Sequence, residues 1–133
     1  MADFPINAEV IALFTKIFKG TLKGVIQWEK TADTSMLVAP LEGEYGLSLK
    51  EIPDLDERDA PPDHALSLSK GRQIIFILNR KDFEGIDFQR LLGEKYEHVY
   101  TVFRELWINA YLKAHKITEE INIISSILDK KLK

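Results

Sequence analysis

"HALSLSKGRQIIFILN" (64–79) decides how this chain is read. Leu66 and Leu68 alternate with Ser67 and Ser69, the period-two pattern of a strand with one face in a core and one toward water. "KG" at 70–71 is a tight-turn signal, and "QIIFILN" (73–79) is apolar almost throughout, so the two halves read as an antiparallel hairpin.

Working backward, "EYGLSLKEI" (44–52) repeats the alternation, with Tyr45, Leu47 and Leu49 on one face and Gly46 and Ser48 on the other. "EG" at 42–43 turns the chain into it from "SMLVAPL" (35–41), where Pro40 has no N–H to donate into a ladder. "KGVIQWEKT" (23–31) contributes a first strand, with Ile26, Trp28 and Lys30 on one side and Val25, Gln27 and Glu29 on the other. Trp28 reads as a core anchor whose indole N–H needs a buried acceptor; a flat ligand-binding face is the competing role. Five strands joined mostly by short turns make an antiparallel meander. The serines and Gly46 leave its second face partly open to water.

Helices flank the meander. Asn7 is a candidate N-cap, and Val10, Leu13, Phe14, Ile17 and Thr21 recur at helical spacing, predicting a helix over 7–22. Gly20 is its weak point and Gly24 its terminator. Helical signals return after Asp87, and "YEHVYTVFRELWINAYLKAHK" (96–116) is the strongest helix. Its broad apolar face carries Tyr96, Val99, Tyr100, Phe103, Leu106, Trp107, Ala110, Tyr111 and Ala114. Thr118 is a candidate cap for a last helix with Ile121, Ile124 and Leu128 as its inner stripe and a "KKLK" end. The expected fold is a single α+β domain over residues 1–133: an N-terminal helix, a five-stranded antiparallel meander sheet, and two C-terminal helices packed on one sheet face. One core should hold Trp28, Leu47, Leu49, Leu66, Leu68, Phe76, Phe103, Leu106 and Ala110.

"LKGVIQWEKT" (22–31), "YGLSL" (45–49) in a hairpin and "FRELWINAYLKA" (103–114) on a long helix resemble a group of small bacterial and bacteriophage-associated proteins of uncharacterised function. The resemblance implies a short N-terminal helix, a glycine followed by a Trp-Glu strand, a hairpin meander and a C-terminal helix, in a protein of bacterial or phage origin. It implies no activity, cofactor or site residue. The loop at 53–63 departs from it.

Composition limits the functions available. The 133 residues are 45% hydrophobic and 29% charged with a net charge of −3, so there is no global basic field to hold nucleic acid. Cysteine is absent, which removes thiol nucleophiles, disulfides and cysteine zinc sites and fits a reducing compartment. "MADFPINAEVIALF" has no basic segment followed by a long apolar stretch, and no apolar run approaches the roughly 18 residues of a membrane span, so a cytoplasmic location is expected.

Chemistry-bearing motifs are sparse. His64, His98 and His115 read as surface or boundary residues, the last two being too far apart on one helix to share an ion. Asp54, Asp56, Glu57, Asp59 and Asp63 concentrate oxygen ligands. Counted from Asp54, however, the sixth and twelfth positions are Asp59 and Ala65, where a calcium loop has glycine and glutamate. The segment reads as a solvated loop. Ser48, Ser67 and Ser69 sit on strands, and no nucleophile elbow or glycine-rich phosphate loop is present. No metal, cofactor or catalytic residue is expected.

Lys16, Lys19 and Lys23 line one side of the first helix and are the candidate basic contact for a nucleic-acid-associated regulator, against the reading of a solvated helix face. A small-molecule or catalytic site between the sheet and the long helix is the third possibility. The leading expectation is a protein–protein binding or assembly module. Ile108 and Leu112 lie opposite the main apolar stripe of the long helix, and Ile123 and Ile127 form a second set on the last one. These four are the candidate interface, to be covered by a partner or a second copy unless the last helix folds back over them.

Overall fold

The computed structural model describes residues 6–53 and 62–133. Helix α1 (Ala8–Lys23) starts at Asn7, whose side chain accepts from the Val10 N–H at 2.9 Å, and stops at Gly24, left-handed at φ 78°. The chain then enters the sheet later than the alternation at 25–30 predicts. Strand β1 is only Glu29–Lys30, because residues 25–28 are bound to α1 rather than to a strand. Val25 and Ile26 donate backbone N–H groups to Gly20 O at 2.9 and 3.2 Å.

Strands β2 (Met36–Pro40), β3 (Tyr45–Ile52), β4 (Asp63–Lys70) and β5 (Gln73–Asn79) complete a sheet of order β1-β2-β3-β4-β5, antiparallel at every step. Register explains the core. Leu37, Leu49, Leu66 and Leu78 form one row across four strands, and Ala39, Leu47, Leu68 and Phe76 form the next. Six of these eight side chains are buried, and Leu68 and Phe76 are partly buried against them. The alternate rows, Val38–Ser48–Ser67–Ile77 and Pro40–Gly46–Ser69–Ile74, face the other way, and no described helix covers them.

Beyond β5 a single 3-10 turn (Arg80–Phe83) is closed by a capping box between Asn79 and Asp82. Helix α2 (Phe88–Leu92), capped by Asp87, follows, then α3 (Val99–Ala114) and α4 (Ile117–Leu132). Helix α3 lies on the inner sheet face through Val102, Phe103, Leu106, Trp107 and Ala110, with α1 packed beside it. Phe14 of α1 is the hub between them, its ring centroid 4.7 Å from Phe83, 5.1 Å from Phe103 and 5.9 Å from Phe88. The expected core set is present: Trp28, Leu47, Leu49, Leu66, Phe103, Leu106 and Ala110 are buried with this cluster, and Leu68 and Phe76 pack on it.

Helix α4 differs from expectation. It starts one residue before Thr118, after Lys116 in a left-handed turn at φ 55°, and it buries none of its side chains. Ile121, Ile124 and Leu128, expected as an inner stripe, are 55, 54 and 52% exposed. The physical reason is occupancy. Helices α1 and α3, with Phe83, Phe88 and Tyr96, already fill the inner sheet face.

Candidate functional site

The surface that calls for a function is α4. Five isoleucines and two leucines stand among its 16 residues. Ile117, Ile121, Ile124 and Leu128 recur at four-three-four spacing, so they form one seam along the helix. Ile123 and Ile127 widen the seam on one flank, at 55 and 49% exposure, and Leu132 extends it at the far end. Glu119 projects from the opposite side, and Thr118 stands about a quarter-turn from the seam. They line a cleft with Gln27, Trp28, Glu29, Leu112 and Lys113, so only the first turn of α4 borders the body, and from Thr118 onward the helix is exposed on its polar and apolar sides alike. Trp28 itself is buried and contributes no flat ligand face there.

The four expected interface residues do not form one patch. Ile123 and Ile127 share one exposed flank of α4. Leu112 is half-buried in the cleft beneath α4, and Ile108, 38% exposed, borders a different cleft with His64, Tyr100, Arg104 and Trp107. The alternative in which the last helix folds back over Ile108 and Leu112 is overturned by the exposure of α4. An amphipathic pattern states that a face wants cover, not whether the cover comes from the same chain.

Lys16, Lys19 and Lys23 are all exposed on α1, as their spacing implies. Lys16 and Lys19 border a groove between α1 and α2 with Arg90, but Asp87 is there too and Ile11, Ala12 and Leu91 line it. Lys23 lies outside it. This is an apolar groove with mixed charge, not a continuous basic track.

His64 corrects the reading of the histidines as surface or boundary residues. It is 2% exposed, under the Trp107 ring at a centroid distance of 5.6 Å. Strand parity explains this, since His64 stands two residues before Leu66 and shares its inward face. Its Nε2 is 3.5 Å from Glu51 Oε2, and neither ring nitrogen has a hydrogen-bond partner among the described residues. Burial pushes the imidazole pKa below its ordinary value, against the pull of Glu51 and Asp63 in the other direction. Among the described residues this is one imidazole beside one carboxylate with no nucleophile aligned to it, a packed pair rather than a catalytic constellation.

Asp63 accepts from the His64 N–H at 2.9 Å and from Arg80 Nε at 3.2 Å, so it is already engaged within the fold. The other acidic residues, Asp54, Asp56, Glu57 and Asp59, lie outside the described residues. Among the described residues no three His, Asp or Glu side chains converge as metal ligands, and no helix is long and apolar enough to cross a membrane. No protein-family model, curated protein or solved structure matches the chain.

Proposed function

We propose that this protein is a cytoplasmic binding or assembly module, without catalytic activity, whose docking element is α4. One observation carries the reading: a fully formed 16-residue helix buries none of its side chains and presents Ile121, Ile123, Ile124, Ile127, Leu128 and Leu132 to solvent. Isolated helices of about 15 residues are marginal in water even when rich in alanine, and β-branched isoleucine lowers helix propensity further. Helix α4 therefore depends on a protein surface that covers it. The sheet face that no described helix covers, with Ile74 and Ile77 exposed, offers a second contact area to an assembly.

A photo-cross-linking amino acid in place of Ser125, beside the apolar seam, tests this in cells expressing the full chain. The expected result is an adduct with one protein of defined mass, lost when Ile124→Asp and Leu128→Asp are added. No adduct, or one indifferent to those substitutions, overturns it.

A further inference from the structure

We infer that the occupant of the α4 seam is a second copy of this chain, with the two α4 helices antiparallel about a twofold axis near Ser125–Ser126. The inference rests on the docking role of α4 proposed above and adds the identity and direction of the partner.

Charge placement selects this arrangement. Glu119 and Glu120 are in the first turn of α4, and Lys130 and Lys131 in the last. Glu120 and Lys131 are eleven residues apart, about three helical turns, so they lie on the same flank of the Ile121–Ile124–Leu128 seam. In an antiparallel twofold pair, each flank faces the same flank of the other helix. Glu120 of one copy then meets Lys131 of the other, and the reciprocal pair forms at the far end. Ile127 stands between them on that flank and falls near the axis, where it meets its own counterpart. The seam residues interleave, Ile124 of each helix packing against Leu128 of the other.

Parallel helices would lose all of this. The two acidic first turns would lie side by side, as would the two lysine-rich last turns, and like charges so placed repel. An isologous pair also closes on itself and leaves no α4 seam open for further chains. The α4 ends are thus complementary to the same helix reversed.

The absence of native cysteine makes the test direct. Ile121→Cys and Lys131→Cys sit ten positions apart, about 15 Å along one helix, beyond the reach of a disulfide within a chain. Oxidation of the double variant should give a covalent dimer linked 121 to 131, while each single variant stays uncross-linked. Homodisulfides in the single variants would mean parallel helices and overturn the proposal. Glu120→Lys and Lys131→Glu should each weaken the wild-type dimer about tenfold at low salt, and the two together should restore it.

A wild-type monomer by light scattering at high micromolar concentration also overturns the proposal, whether α4 then binds anionic vesicles or nothing. If that monomer still yields the Ser125 adduct with another protein, α4 remains a docking helix and only the second copy is refuted. If it yields none, both readings fall.

Discussion

Trp28 donates its indole Nε1–H to Thr21 Oγ1 at 3.0 Å, and the Thr21 hydroxyl donates in turn to Ile17 O at 2.8 Å. Both side chains are buried, so a relay of two hydrogen bonds ties the chain leaving α1 back to the helix it has just left. This relay lets a tryptophan act as a core residue without an orphaned donor.

Removing the ring should cost much and removing the acceptor less. Trp28→Ala is expected to destabilise by about 3–5 kcal/mol, the range for deleting a buried large aromatic. Thr21→Val keeps the shape but leaves the indole N–H unpaired, for a loss of about 1–3 kcal/mol. Urea denaturation of the two variants measures both. A Thr21→Val protein as stable as wild type would show that the relay contributes nothing.

Gly20 supplies the second prediction. Glycine inside a helix normally gains about 1 kcal/mol on replacement by alanine. Here an added Cβ would lie 3.1 Å from both Cγ1 and Cδ1 of Ile26, the side chain that folds back over α1. Gly20→Ala should therefore fail to raise the melting temperature in wild type, and should raise it when Ile26→Ala has cleared the space. A stabilised single variant would mean that Ile26 yields freely.

Gly20 also shows where the sequence stops being readable. Its neighbour Ile26 is adjacent in space because the αL turn at Gly24 reverses the chain, and no local period encodes that contact. The meander was legible because each strand states its own inward face: Leu47 and Leu49, then Leu66 and Leu68, with turn residues between. The same parity placed His64 inward, and was overridden only by the expectation that histidine prefers the surface. Helix α4 was legible as a helix and illegible as to its cover. Ile121, Ile124 and Leu128 satisfy an inner stripe and an outer seam equally, and the choice is made by α1 and α3 filling the sheet face first. The expected interface split for a related reason: Ile108 and Leu112 share a helix face, yet Pro62 and His64 border one of them and Gln27–Lys30 the other.

His64 makes stability depend on pH. Its buried ring resists protonation in the folded state, whereas in the unfolded chain it titrates near 6.5. Its contribution is thus fully present above about pH 6.5 and is lost as pH falls below that value toward the lowered folded pKa. His64→Leu, which continues the leucine row on that face, should lose less stability than wild type between pH 7 and 5, the two curves diverging by at most about 1.4 kcal/mol per pH unit. Trp107 fluorescence, read from the ring above His64, follows unfolding in both proteins. Parallel curves would mean that His64 takes up its proton without penalty, through Glu51.

Charge introduced on α4 should spare the fold. Ile124 and Leu128 are 54 and 52% exposed, so Ile124→Asp with Leu128→Asp removes no core contact, while Phe103→Ala empties a fully buried site in the Phe14 cluster. The aspartate pair is expected to keep the near-ultraviolet circular dichroism of the tryptophans and the cooperativity of the main unfolding transition. It should lose any dependence of the melting temperature on protein concentration, since only association can supply one. Phe103→Ala should do the opposite, lowering stability by about 3–5 kcal/mol at every concentration. Scanning calorimetry across a hundredfold concentration range separates the two effects. An aspartate variant that melts early and loses its near-ultraviolet signal at all concentrations would place α4 against the body after all, and would return the last helix to the core.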